Sequence, residues 1–273
     1  MSLIDMPLLV WIILFSLLGG LLSVLAAASF LMVPEKFRVQ MLPSLVSLAI
    51  GALLAAAFVG LIPHAASFEA VDMHALGMTV LVGILLFFAL EKMVLWRHGH
   101  AHDEAHGHMH NCELSHAQVK QGKAEATAVM ILVGDGIHNL VDGVLIGAAF
   151  MADIHLGIMT SLAVAAHEIP QELGDFVILL HSGMRPKRAL LLNLLSGLAT
   201  VVGALLAWAF MSDVWLPYAL AIAASSFIYV AVADLIPGLQ RHTGVWVTVR
   251  ELCLIGGGIV AISAMHFGLH PLG

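Results

Sequence analysis

The sequence predicts an all-α integral membrane protein of eight transmembrane helices, with helices 1–3 and 6–8 forming an inverted repeat around helices 4 and 5. Three observations carry this expectation. With 60% of its residues hydrophobic and only 11% charged, the chain has too little polar surface to face water, since soluble domains carry roughly 25% charged residues. Several of its apolar runs exceed the roughly 18 residues that mark a membrane-spanning helix. A proline pattern also recurs: Leu42-Pro43 precedes Leu61-Ile62-Pro63 as Leu216-Pro217 precedes Leu235-Ile236-Pro237, and the copies lie 174 residues apart. They fall on the second and seventh helices, which run in opposite directions in an eight-helix chain.

Taken in order, the apolar runs place helices at about 7–33, 42–65, 75–96, 123–150, 154–183, 187–211, 214–238 and 247–269. Eight spans of about 20 residues leave short connections and one longer one, so residues 1–273 are expected to form a single transmembrane domain, interrupted by a polar loop at 97–122. The first span has no basic leader and is longer than a signal-peptide core, so it is expected to remain as a helix. Charge then orients the bundle. Lys36 and Arg38 lie between spans 1 and 2; Lys92, Arg97, Lys120 and Lys123 flank the 3–4 loop. Arg185, Lys187 and Arg188 lie between spans 5 and 6, and Arg241 and Arg250 between spans 7 and 8. All the basic residues therefore sit on one side, which the positive-inside rule makes cytoplasmic, with both termini outside. A bacterial inner membrane is the expected setting.

Composition also excludes. Two cysteines, Cys112 and Cys253, argue against a disulfide framework and a thiolate zinc cage. A net charge of −7 argues against a nucleic-acid partner.

Ionisable groups inside a bilayer are costly and mark function. Spans 4 and 5 hold Asp135, His138, Asp142, His167, Glu168, Glu172 and Asp175, yet no Lys or Arg occurs from Ala124 to Met184. The carboxyl groups there have no basic side chain of their own helices to pair with, so they must be protonated, face water or bind an external cation. Only a cation also accounts for the histidines. Asp135, His138, Asn139 and Asp142 share one helical face, as do Glu168, Gln171, Glu172 and Asp175. His138 and His167 each lie about 20 Å of helix from a tight outer turn near Ala152, so the two faces meet at one depth. Glycines 134, 136, 143, 147 and 174 would let the two helices approach closely. Pro170 frees a backbone carbonyl one turn past His167. Imidazole nitrogen combined with carboxylate oxygen suits Zn²⁺, Fe²⁺, Mn²⁺, Co²⁺ or Cd²⁺, and inverted repeats are a feature of carriers with a midplane site.

The 3–4 loop reads RHGHAHDEAHGHMHNCELSH. His98, His100, His102, His106, His108, His110 and His116 fall within it, a composition that cannot pack a core and that reads as disordered, with weak metal capture on the cytoplasmic side.

The motifs HNLVDG (His138–Gly143) and HEIPQELGDF (His167–Phe176) closely resemble those of the ZIP (Zrt/Irt-like) metal transporters, and above all the subgroup whose fifth helix reads H-E-x-P-H-E-x-G-D. LIPHA (Leu61–Ala65), FFALEK (Phe87–Lys92) and FIYVAVADLIP (Phe227–Pro237) resemble the same family. The resemblance implies an eight-helix carrier, not an enzyme, moving Zn²⁺ or a related divalent ion toward the cytoplasm. It places His138, Asp142, His167 and Gln171 at a first metal position, and Asn139, Asp142 and Glu168 at a second. His64, Asp135, Glu172, Asp175 and Asp234 are expected along the ion's path. Two departures stand out. Gln171 occupies a position that is usually His, and span 6 lacks the carboxylate that completes the second metal in many members. The expected partners are the divalent ion and the lipid bilayer, and a homodimer is compatible with the sequence. Two rival readings are weaker. An intramembrane metallohydrolase would need H-E-x-x-H, which fails at Gln171, and a membrane metal sensor built on the histidine loop has no need of eight spans.

Overall fold

A computed structural model describes residues 7–69, 71–107, 116–241 and 244–269, with side chains for all of these except 39, 94–131 and 269. The described residues form eight helical rods: α1 (Leu8–Phe30), α2 (Glu35–Ala66), α3 (Met73–Gly107), α4 (His116–Ala152), α5 (Ile154–His181), α6 (Pro186–Phe210), α7 (Leu216–Leu239) and α8 (Val245–Leu269). Six of them, α1, α2, α3 over Met73–Met93, α6, α7 and α8, are long and apolar enough to cross a membrane. The 37-residue α4 and the 28-residue α5 are long enough as well, but they carry the ionisable stripes. The molecule is an all-α, multi-pass membrane protein.

Several helix limits differ from expectation. Helix α2 begins at Glu35 and runs through Pro43. An internal proline removes one backbone hydrogen bond but need not end a helix, and Ser47 Oγ donates back to the Pro43 carbonyl at 2.8 Å. Helix α3 continues to Gly107 and α4 starts at His116, because loss of hydropathy marks where the membrane ends rather than where the helix does, and Ala, Glu, Gln and Lys are good helix formers. The histidine-loop expectation concerns residues whose side chains, and for 108–115 whose backbone too, lie outside the described residues.

The turn between α4 and α5 is as tight as expected. A single residue, Asp153, separates them, with extended backbone and a side chain that caps α5 by accepting from Leu156 N at 2.9 Å. At its other end α5 closes through Gly183 at φ +95°. Gly183 N donates to the Leu180 carbonyl at 3.0 Å and Met184 N to the Leu179 carbonyl at 3.2 Å, the paired bonds of a Schellman stop. Buried Met184 packs in the same cluster as Leu179.

Packing follows the proline repeat. The close pairings α4–α6, α2–α8 and α2–α5 become α5–α1, α7–α3 and α7–α4 when helices 1–3 are exchanged with 6–8 and 4 with 5, and all six pairings occur. A finer match lies inside the helices. Both α2 and α7 widen into a π-helical turn just before their Ile-Pro step, at Ala56–Leu61 and Val230–Leu235, again 174 residues apart. Such turns are rare. Helix α1 has one of its own at Leu18–Leu22, with no counterpart in the continuous α6. The main core packs α1, α2, α4, α5 and α7 together through residues such as Ile12, Leu53, Ile146, Leu156, Met159 and Phe227, and this core surrounds the polar faces of α4 and α5.

Candidate metal site

Helices α4 and α5 are antiparallel neighbours whose register is set by the one-residue turn at Asp153, and this brings the two predicted histidines face to face. The Nε2 atoms of His138 and His167 are 3.3 Å apart. His138 Nε2 lies 3.3 Å from Glu168 Oε1 and 3.8 Å from Asp142 Oδ2; His167 Nε2 lies 3.2 Å from Asp142 Oδ2 and 3.6 Å from Glu168 Oε1. All four groups offer ligand atoms within 4.8 Å of one another.

These separations have a specific meaning. Ligands held at about 2.0–2.1 Å by a tetrahedral zinc ion sit about 3.3 Å from each other, and the measured edges run from 3.2 to 3.8 Å. The quartet is thus close to a divalent coordination shell on five of its six edges, and its sixth, between the two carboxylates, is within 4.8 Å. Its second shell agrees. His167 Nδ1 is 3.2 Å from the Ala163 carbonyl one turn back, which makes Nδ1 the protonated nitrogen and leaves the Nε2 lone pair for a metal. The ring of fully buried Phe227 packs edge-on to His167 at 6.3 Å. The side chains of Asp142, His167 and Glu168 are at most 1% exposed, whereas that of His138 is 25% exposed and forms the quartet's open edge.

The carboxylates are the decisive groups. No hydroxyl, amide or backbone N–H of the described residues donates to either oxygen of Asp142 or Glu168. Buried carboxylates normally have donors or a cation; here only imidazoles approach them. A divalent ion between the four side chains would satisfy both carboxylates and give both Nε2 atoms a partner.

The other predicted residues divide into two groups. Asn139 is buried beside the quartet but its amide is engaged: Thr200 Oγ1 donates to Asn139 Oδ1 at 2.8 Å, and Asn139 Nδ2 donates to Asp135 Oδ1 at 3.1 Å. Gln171 Nε2 donates to the same Asp135 oxygen at 3.4 Å. Asp135 and Glu172 form a second carboxylate group with Glu168. Asp175 is half-buried, Asp234 is exposed and His64 is half-buried against Phe68; none of the three belongs to either cluster.

Two features went unread in the sequence. Thr200, with Asn193 and Ser196, forms a buried polar stripe on α6, but scattered Thr, Asn and Ser on an apolar helix carry no signal of their own. Glycines 143 and 147 serve a neighbour other than the expected α5. A Cβ at Gly143 would run into the Thr200 carbonyl, and one at Gly203 into the Leu140 carbonyl, so the close approach joins α4 to α6. Gly136 and Gly174 have no side-chain space to defend. Helical spacing locates a face but does not say which neighbour it meets.

The chain is thus an all-helical membrane protein with a two-histidine, two-carboxylate cluster, three of whose members are buried. The family model described as ZIP zinc transporter matches residues 8–266, and the chain belongs to that family. Among curated proteins, zinc transporter ZIP10 of Homo sapiens is 41% identical over 152 residues, covering 55% of this chain and 18% of that protein. Zinc transporter foi of Drosophila melanogaster is 42% identical over 147 residues, covering 52% and 21%, and zinc transporter ZIP4 of Mus musculus is 39% identical over 160 residues, covering 55% and 24%. The chain spans about a fifth of the length of the curated relatives it matches.

Proposed function

We propose that this protein is a carrier that moves zinc, and related divalent ions of similar ligand preference, across a membrane toward the side bearing its basic residues, with the ion bound between α4 and α5 by His138, Asp142, His167 and Glu168. The observation that carries the reading is the quartet itself: four ligand atoms at coordination spacing, with two buried carboxylates that lack donors. Family membership and the names of the matched relatives support zinc as the cargo. In this reading all eight helices cross the bilayer, and the exchange symmetry of the packing supports an inverted repeat that can open the site to either side.

The chemistry suits a carrier. Two imidazoles and two carboxylates bind borderline divalent ions well without the thiolates that make structural zinc sites nearly permanent. Binding must be strong enough to load and weak enough to release. The exposed edge of His138 gives the ion a way in or out, while the remaining ligands are buried. The histidine-rich segment at 98–116 would gather released ions weakly on the cytoplasmic side.

The test is uptake of Zn²⁺, Mn²⁺ and Cd²⁺ into proteoliposomes by the parent and by Asp142→Ala. The parent should transport zinc, and Asp142→Ala should lose nearly all uptake, because it removes a carboxylate that sits 3.2 Å from one imidazole and 3.8 Å from the other. Parent-like uptake by a properly inserted Asp142→Ala would contradict the proposal.

A further inference from the structure

One helical turn from the quartet, on the side away from the Asp153 turn, lies a group of different composition. Asp135, Glu168 and Glu172 each place a carboxylate oxygen within 4.8 Å of the other two. Glu168 and Glu172 are fully buried and Asp135 is 6% exposed. Asp135 Oδ2 and all four oxygens of the two glutamates lack a well-formed hydrogen bond among the described residues, although the side chains of Ser196, Asn193 and His138 lie beside Asp135, Glu172 and Glu168 respectively. Three carboxylates this close repel one another strongly, and burial makes each charge costlier.

The surroundings look built rather than accidental. Amides from both helices, Asn139 Nδ2 and Gln171 Nε2, donate to Asp135 Oδ1 at 3.1 and 3.4 Å and leave its Oδ2 unpartnered. From α6, fully buried Asn193 holds its Nδ2 3.4 Å from the Glu172 carbonyl, and its Oδ1 has no donor. The uncharged Asn193 thus brings a further buried side chain, with an oxygen lacking a donor, next to Glu172 from a third helix.

We propose that Asp135, Glu168 and Glu172 form a second divalent-cation site whose carboxylate ligands are all oxygen, with Asn193 Oδ1 as a further neutral donor. It takes ions that prefer oxygen, of which Mn²⁺ is the convenient representative. The site builds on the quartet as a metal site but shares only Glu168 with it. It also differs from the second position that the family resemblance implies, since Asn139 Oδ1 is already occupied by the Thr200 hydroxyl. Because Glu168 belongs to both groups, an ion can pass between them by exchanging imidazole ligands for carboxylate ligands, without a step in which it has none. Asp135 and Glu172 both lie on the basic-residue side of the quartet along their helices, so this is the site nearer the cytoplasmic side in the proposed orientation.

The experiment is Mn²⁺ titration of the full chain in detergent, followed by electron paramagnetic resonance with electron spin echo detection of ¹⁴N coupling, which separates ions held by imidazole from ions held by oxygen alone. Two bound populations are expected, one nitrogen-coupled and one nitrogen-free. Glu172→Gln and, separately, Asp135→Asn should weaken the nitrogen-free population at least about tenfold, while the nitrogen-coupled population persists and reports an intact fold. Absence of a nitrogen-free population in the parent, or its survival unchanged in both variants, overturns the second site. The double variant His138→Ala with His167→Ala should keep the nitrogen-free ion and lose nitrogen coupling. Unchanged nitrogen coupling there would count against the quartet instead.

Discussion

Helices α4 and α5 differ from α3 and α8 in nearly every way that a bilayer imposes. The first pair hides its polar face: Asp135, Asn139, Asp142, His167, Glu168 and Glu172 are all buried. The second pair hides almost nothing. Only 11% of the most apolar window of α3 is buried, and 17% of that of α8, against 61% for α2. Large side chains such as Val82, Leu85, Leu252 and Val260 are more than half exposed there. The lesson is that in a membrane the apolar faces point outward to lipid and the ionisable faces are driven inward, where only water, other helices or a bound ion can satisfy them. Among the described residues, buried ionisable groups therefore concentrate on α4 and α5, with Glu251 on α8 the exception, and that concentration marks the candidate site.

This contrast can be broken most severely at the backbone contact that positions the inner pair. Gly143→Leu would push a side chain into the Thr200 carbonyl of α6, and overpacking of this kind costs about 1–3 kcal/mol or more. A fall in thermal midpoint of roughly 5–10 °C follows for a chain of this size, together with weaker metal binding, because His138 and Asp142 move with α4. Gly256→Leu on α8, where nothing lies within 4 Å, should shift the midpoint by no more than about 1–2 °C. Scanning fluorimetry on the two variants in detergent decides the matter; equal shifts would mean that α4 and α8 face similar surroundings.

A smaller effect sharpens the same comparison. Thr200→Ala removes the donor to buried Asn139 Oδ1, leaving an unsatisfied amide at a cost of about 1–3 kcal/mol. Thr79→Ala on α3 removes a hydroxyl that merely bonds the Ala75 carbonyl of its own helix at 2.8 Å, and should change stability by less than about 0.5 kcal/mol. Unfolding of both variants side by side in mixed micelles measures the difference. A Thr79→Ala loss as large as that of Thr200→Ala would contradict the burial pattern.

Much of this could be read before any coordinates. Apolar runs located the helices, and the absence of Lys and Arg between Ala124 and Met184 singled out α4 and α5. Helical spacing put His138 with Asp142 on one face and depth matched His138 to His167, but the first metal position was expected to take Gln171, where Glu168 is the residue that converges. Other features depend on three-dimensional contacts that leave no local trace. That α4 packs its glycines on α6 is decided by backbone approach, which a one-dimensional pattern does not encode. That Asn139 and Gln171 turn toward Asp135 is decided by competition among donors once the helices have met. The π turns at Ala56–Leu61 and Val230–Leu235 have no sequence signature beyond the prolines that follow them, although the repeat of those prolines marked both places.

Whether the quartet between α4 and α5 holds the ion is decided by a crystal of the full chain grown with Zn²⁺, through anomalous scattering at the zinc absorption edge. An anomalous peak is expected about 2.0–2.1 Å from Nε2 of His138 and His167 and from one oxygen each of Asp142 and Glu168. Zinc bound elsewhere in the membrane region, with these four side chains left facing one another unoccupied, would contradict it.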